Sequence, residues 1–315
     1  SEAVERGAAA VLCEKGRGDE VKATLPDGVV CFETENTRRA LAFLWHRFCG
    51  CPSREMNFIG VTGTNGKTSS TLLLKHVLET VLGAKVGLMG TMENMIGDVS
   101  IPTERTTPES MELQQLLAQM HEAGCTHAIM EVSSHAIALD RVGGLHYTVG
   151  AFTNLTEDHL DFHKTMEAYC DTKAILFQRC RKAVGNLDDS WYDRLCGSAA
   201  CKVMTVSART AADLYAQDLE LLSDGVSFTA ISGGEKVEVK LPIPGKFTVY
   251  NALNVLGMAM QLDISLADAA NALRTAAGSA DVNAVVAPTL VCTALSTVVG
   301  AGLGRMCRKW GKRSA

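Results

Sequence analysis

Residues 57–68 read Asn57-Phe58-Ile59-Gly60-Val61-Thr62-Gly63-Thr64-Asn65-Gly66-Lys67-Thr68. Positions 57–61 make a short apolar run, and apolar residues at helical spacing follow over 67–82. A buried strand, a Gly-rich turn and a helix, in that order, predict a phosphate-binding loop. Glycines let the backbone curl until N–H groups point at phosphate oxygens, and the helix N-terminus adds partial positive charge. In such a loop Lys67 would neutralise the β- and γ-phosphates of ATP, and the Thr68 hydroxyl would ligand Mg²⁺. Gly63, Thr64, Asn65 and Gly66 complete it. Val61 stands where the general pattern has Gly, so the loop is a variant. A merely solvated turn is the competing reading; the strand before and the helix after disfavour it.

Outward from this loop, strand-like runs alternate with helical patterns, which predicts an α/β fold around a mostly parallel sheet. Strands are expected at 85–89, 126–132, 147–153, 183–187 and 203–206, with a helix from Pro108 to His121. From 213 to 241 short alternating segments around Gly233-Gly234 predict antiparallel edge strands, and helices at 249–261 and 266–276 follow. Three parts result: a partial N-terminal α/β domain over 1–54 (roughly a helix, a strand and a helix), the ATP-binding domain over 55–278, and an atypical tail over 279–315.

Composition narrows the class. A formal charge of -5 over 315 residues argues against a nucleic-acid partner. Eleven cysteines, scattered and with no C-x-x-C pair, read as reduced thiols in a cytoplasm. Residues 282–304 are uncharged and precede Arg305, Arg308 and Lys309. Their length would suit a membrane span, but Asn283, Pro288 and three glycines make the hydrophobicity marginal, so a foreign or disordered tail is favoured.

Two further runs follow expected strands. Glu131-Val132-Ser133-Ser134-His135 puts a carboxylate at a strand's carboxyl end, where α/β sheets gather ligand groups and where Glu131 would share Mg²⁺ with ATP. Ser133 would cap the next helix or bind substrate. Glu157, Asp158, His159, Asp161 and His163 read as a metal or acid–base cluster, or else as a solvated loop. From spacing alone Lys173 is an ordinary surface lysine.

Together these runs, with Arg105-Thr106-Thr107-Pro108-Glu109, Arg141-Val142, Asn186-Leu187-Asp188-Asp189 and Tyr250-Asn251-Ala252-Leu253, resemble the Mur ligase family over roughly residues 1–277. The resemblance is strongest to those members that add the third amino acid to UDP-N-acetylmuramoyl-L-alanyl-D-glutamate in peptidoglycan synthesis. It implies ATP and Mg²⁺ as cofactors, that muramoyl-dipeptide and a diamino acid (meso-diaminopimelate or L-lysine) as substrates, and an acyl-phosphate mechanism. It implies Thr68 and Glu131 as ligands of the first Mg²⁺, His159 beside the metal, and Lys173 carbamylated to support a second Mg²⁺. Lys67, Lys173 and His159 would be the catalytic set; Thr106, Thr107, Ser133 and Arg141 would hold the muramoyl-dipeptide, and Asn251 the adenine. Arg105 and Thr248 stand where the family usually has Asn. The family's uridine-binding start would precede Ser1, and its third domain would begin near Gly278, where residues 279–304 do not resemble it. Two alternatives stay open: a nucleotide-binding remnant without ligase activity, and a relative of folylpolyglutamate synthetase, which shares the fold and the loop.

Overall fold

The run that opens the phosphate loop becomes a central strand. The computed structural model describes residues 2–276. Its strands, in chain order, are β1 (Ala10–Glu14), β2 (Val30–Thr34), β3 (Asn57–Thr62), β4 (Val86–Met89), β5 (Asn94–Ile96), β6 (Val99–Ile101) and β7 (His127–Glu131). They continue with β8 (Tyr147–Phe152), β9 (Cys180–Asn186), β10 (Val203–Ser207), β11 (Leu214–Leu221), β12 (Val226–Ser232) and β13 (Glu235–Leu241). The helices are α1 (Glu2–Glu5), α2 (Gly18–Lys22), α3 (Thr37–Phe48), α4 (Lys67–Leu82), α5 (Ser110–Glu122) and α6 (Ser134–Ala138). After them come α7 (Leu160–His163), α8 (Met166–Ala174), α9 (Tyr192–Cys196), α10 (Lys246–Gln261) and α11 (Leu266–Leu273).

One 11-stranded sheet runs in the order β13-β12-β11-β10-β9-β8-β3-β7-β4-β5-β6. From β11 to β4 every pairing is parallel, and the antiparallel strands β12, β13, β5 and β6 form the two edges. Because β3 lies between β7 and β8, the segments leaving the carboxyl ends of all three meet. That is the crevice in which open α/β sheets bind ligands.

Both faces are covered. Ile59, Val61, Ile129 and Val149 pack against α4, α10 and α11, while Phe58, Met130 and Tyr147 pack against α5, α8 and α9. Burial on both faces explains why these strands read as continuous apolar runs. Gly60 is needed for close approach: a Cβ there would stand 2.8 Å from Tyr147 ring carbons, and Tyr147 stacks on Phe58 with centroids 4.9 Å apart.

The N-terminal residues differ from the expected helix, strand and helix. They hold two strands, β1 and β2, which pair in parallel as a sheet of their own. Val30 and Phe32 of β2 are 51% and 57% exposed, so the small sheet carries little buried alternation to mark both of its strands. Helix α3 joins this part to the rest. The Asn36 Oδ1 caps it by accepting from Arg39 N at 2.9 Å, and Asn36 Nδ2 donates to Asp140 at 3.0 Å. Ala42 is fully buried, and the His46 Nδ1 lies 3.1 Å from Gln114 Oε1 of α5. The hairpin β5–β6 is also new relative to the sequence reading, and β9 starts at Cys180 rather than 183. The edge strands expected over 213–241 are present as β11 to β13. The expectations for residues 279–315 lie outside the described residues.

Candidate nucleotide and acceptor site

The loop between β3 and α4 needs its glycines. Gly63 has φ 148° and Gly66 φ 83°. A Cβ on Gly63 would overlap Thr153 Oγ1, and one on Gly66 would overlap the Asn251 amide oxygen. Asn251 of α10 therefore sits directly on the turn of the loop. The loop is clamped from the end of β8. Thr64 N donates to Asn154 O at 2.8 Å and Asn65 N to Asn154 Oδ1 at 3.0 Å. Asn154 Nδ2 and Thr153 Oγ1 donate in turn to Asn65 O at 3.0 and 2.7 Å. Sequence reasoning overlooked Thr153 and the clamping role of Asn154, although both follow a strand at the ligand-binding end of the sheet.

Two amines meet on one carbonyl. Lys67 Nζ donates to Gly63 O at 2.9 Å and Thr64 O at 2.8 Å. Lys173 Nζ donates to the same Gly63 O at 3.0 Å, and to Thr62 Oγ1 at 3.5 Å, while lying 4.7 Å from the Tyr169 ring centroid. Lys173 is 1% exposed, so the surface-lysine expectation is overturned: α8 turns its side chain under the loop rather than into water. Burial lowers both ammonium pKa values. For Lys67, nearby Glu131 and Asp158 oppose that shift. For Lys173, the positive Lys67 adds to it, and the amine falls well below the usual lysine range. Lowering the pKa of a buried amine favours its neutral form, the form that can act as a nucleophile.

Glu131, 1% exposed, ends β7 beside the loop. Its Oε1 accepts from Thr68 Oγ1 at 2.9 Å and from Thr91 N at 2.9 Å, and its Oε2 from Thr91 Oγ1 at 3.0 Å. Thr91, which sequence reasoning missed, follows β4 and also lies 3.1 Å from Thr106 Oγ1. A hydroxyl beside a carboxylate is a hard-oxygen donor pair of the kind Mg²⁺ prefers, so Thr68 and Glu131 fit that ion. Thr107 Oγ1 donates to Glu131 O at 2.7 Å and accepts from Ser133 N at 3.0 Å. Ser133 Oγ caps α6, accepting from Ala136 N at 3.2 Å. Arg141 donates to Thr107 O at 3.3 Å and pairs with Glu109 at 3.0 Å. The Arg141 Nε is buried and has no partner. Thr106, Thr107, Ser133 and Arg141 therefore form one connected wall next to Glu131.

The acidic run after β8 behaves otherwise than expected. Glu157, Asp158 and Asp161 are exposed, and His163 is buried with its Nε2 2.9 Å from Ser134 Oγ. His159 takes a left-handed backbone, φ 53°, and its Nε2 lies 3.4 Å from Asp158. Its ring is 4.8 Å from His135 and 6.2 Å from Tyr169, the ring beneath Lys173. Among the described residues no group of three or more His, Cys, Asp and Glu is placed to hold a metal ion. The run therefore does not gather as the expected metal cluster: its carboxylates are exposed, and only Asp158 stays close to His159.

The profile of the Mur ligase middle domain matches residues 61–259, spanning every residue described above from the loop to Asn251. The chain belongs to the Mur ligase family. It is 43% identical over 264 residues to UDP-N-acetylmuramoyl-L-alanyl-D-glutamate–2,6-diaminopimelate ligase 1 of Clostridium acetobutylicum, covering 84% of this chain and 53% of that protein. The corresponding ligase of Clostridium botulinum is 42% identical, with 84% and 54% covered. This chain thus spans about half the length of the curated relatives it matches. A solved structure of a ligase of that name superposes with a TM-score of 0.74 at 28% identity, covering 84% of this chain and 59% of the other. The FPGS–AMPPCP complex shares the fold at a TM-score of 0.59 and 20% identity, with 76% and 67% covered. Among the described residues no helix of this Mur ligase chain is long and apolar enough to cross a membrane.

Proposed function

We propose that this chain carries the ATP-binding core that joins meso-diaminopimelate or L-lysine to UDP-N-acetylmuramoyl-L-alanyl-D-glutamate. The observation that carries the proposal is the contact of Glu131 with Thr68 at the head of a loop whose Gly63 carbonyl is shared by Lys67 and Lys173. The names and identities of the relatives support the substrate. The run from Thr106 to Pro108 and the wall ending at Arg141 favour a muramoyl acceptor over the folylpolyglutamate alternative. Residues 1–54 are read as part of the uridine-side domain, 55–278 as the ATP-binding domain and 279–315 as an atypical tail. The unpaired state of all nine cysteines among the described residues suits a cytoplasmic setting.

In this reading the side-chain carboxylate of D-glutamate attacks the γ-phosphorus of ATP. An O–P bond forms, the bond to the β-phosphate oxygen breaks, and ADP leaves. The amine then attacks the acyl carbon, a tetrahedral intermediate forms, and phosphate departs as the nitrogen gives up its proton. Lys67 turns from the loop carbonyls to the transferring phosphoryl group, whose charge it offsets. Thr68 and Glu131 would hold Mg²⁺, which supplies further electrostatic stabilisation when bound. Lys173, as a neutral amine, would add CO₂ and lose a proton to become a carbamate, which would offer a carboxylate-like ligand to a second Mg²⁺; His159 stands beside it across Tyr169. Thr106, Thr107, Ser133 and Arg141 fix the acceptor, and Asn251 faces the adenine. Catalysis is then largely positioning plus electrostatics.

The test supplies purified protein with Mg-ATP, UDP-N-acetylmuramoyl-L-alanyl-D-glutamate and either diamino acid. Tripeptide formed in step with ADP and phosphate is the expected result. Mg-ATP binding without product assigns the chain to the nucleotide-binding alternative, and absence of Mg-ATP binding overturns both.

A further inference from the structure

The opposite end of the sheet, where the parallel strands begin, carries a second concentration of functional groups. A cavity of about 320 Å³ is lined there by Arg54, His146, Gln178, Arg179, Cys180 and Arg181. An adjoining cavity of about 450 Å³ shares Arg54 and Arg181. Arg54 ends the short turn that leads into β3, His146 immediately precedes β8, and Arg179 and Arg181 flank the first residue of β9. These three strands are neighbours in the sheet, so each brings its amino-terminal cation or imidazole to one place. The nucleotide loop leaves the carboxyl end of β3, about 20 Å away at roughly 3.3 Å per strand residue.

The three guanidiniums are not engaged by carboxylates, although Glu55 lines the adjoining cavity with Arg54 and Arg181. Among the described residues none of them takes part in an ion pair. Arg179 is fixed in place by donating from Nη1 to Val142 O at 3.1 Å. Burial holds the His146 imidazole below its usual pKa, and Arg54, Arg179 and Arg181 push it the same way with no carboxylate opposing them. The chain is acidic as a whole, at -5, so this cluster does not follow from a generally basic composition. Arg54 and Arg181 are exposed and Arg179 is half-buried, and all three line the same recess. That recess is at the lower end of the size range of small-ligand pockets. Guanidinium matches phosphate by paired N–H···O bonds, and several together select an anion of more than one charge.

We propose that this recess binds a small, multiply charged phosphate ligand, held by Arg54, Arg179 and Arg181 and separate from the ATP site. Glu55 lines only the neighbouring cavity, which places the anion on the His146 side. The inference does not rest on the ligase reading.

Inorganic tripolyphosphate, titrated without Mg²⁺ in a calorimeter, is the probe. The chain and its Lys67→Ala variant are compared with Arg54→Gln/Arg181→Gln and, as a second disruption of the recess, Arg181→Glu, each arginine change being made in the Lys67→Ala background for this titration. Both substituted arginines are exposed, so the melting profile should be retained. Saturable binding should persist in Lys67→Ala and weaken about tenfold or more in both arginine variants, because each loses charge-assisted hydrogen bonds. Mg-ATP affinity of the arginine variants should stay within about twofold, since mutations at distant independent sites act separately. Absence of saturable tripolyphosphate binding to Lys67→Ala, or equal affinity with and without the arginines, would overturn the proposal. Either result leaves Mg-ATP binding at the loop to be judged on its own.

Discussion

Replacing Lys173 by Met should stabilise the protein at neutral pH, and the gain should shrink as pH rises. Met keeps nearly the same volume, so packing changes little. The amine it removes is 1% exposed, and its pKa is held well below the ordinary lysine value of 10.5, first by burial and then by Lys67. Between the folded pKa and 10.5 the unfolded chain binds a proton that the folded chain does not. Wild-type stability therefore rises with pH in that window, by about 1.4 kcal/mol per pH unit. Below the folded pKa the penalty of burying the amine is fully present, and above 10.5 it is gone. Against this, Met forfeits the hydrogen bond to Gly63 O, about 1 kcal/mol. The assay is the difference in melting temperature between wild type and variant, in CO₂-free buffer, at pH 9 and pH 10. One pH unit should move that difference by roughly 2–4 °C in favour of wild type, given the usual entropy of unfolding for a chain of this size. Parallel pH profiles for the two proteins would show that Lys173 is charged when buried, and the argument for a nucleophilic amine would fail.

Other perturbations separate the parts of the site. Gly63→Ala forces a Cβ into Thr153 Oγ1 at φ 148°, so a loss of about 1–3 kcal/mol in stability and failure to bind Mg-ATP are expected, read by melting and calorimetry. Thr91→Val removes the hydroxyl that donates to the buried Glu131 Oε2; about 1–3 kcal/mol of stability should be lost, read by melting, with the bond from Thr91 N retained. In bicarbonate-equilibrated crystals, density for one added CO₂ is expected on Lys173 Nζ; a bare amine in the presence of Mg-ATP would remove the carbamate from the mechanism.

How much of this was legible in the sequence depends on how local each feature is. The loop from Gly63 to Thr68 is dictated by neighbours in the chain, and so were its strand and its helix. Glu131 was found because a carboxylate closing an apolar run lands at the ligand-binding end of a parallel sheet. Lys173 was not found from spacing. Its burial comes from α8 packing beneath a loop more than a hundred residues away, and only the family resemblance pointed to it. The run from Glu157 to His163 misled because its carboxylates are exposed while His163 is buried against Ser134. The N-terminal part holds two strands where one is expected because β1 and β2 are both largely unburied, and the three-residue strands β5 and β6 are too short to show a period. Thr91 and Thr153 carried no motif; their position after strands was the one available signal.

The central claim is that the loop and Glu131 form a Mg-ATP site that depends on Lys67. Calorimetric titration of Mg-ATP into the wild-type chain and into Lys67→Ala tests it most directly. A charge-assisted contact to phosphate contributes about 1.5–3 kcal/mol, so the variant should bind at least about tenfold more weakly. Its circular dichroism should be unchanged, because the Lys67 side chain donates, among the described residues, to carbonyls of its own loop alone. Equal affinity in the two proteins, with the fold intact, would contradict the account.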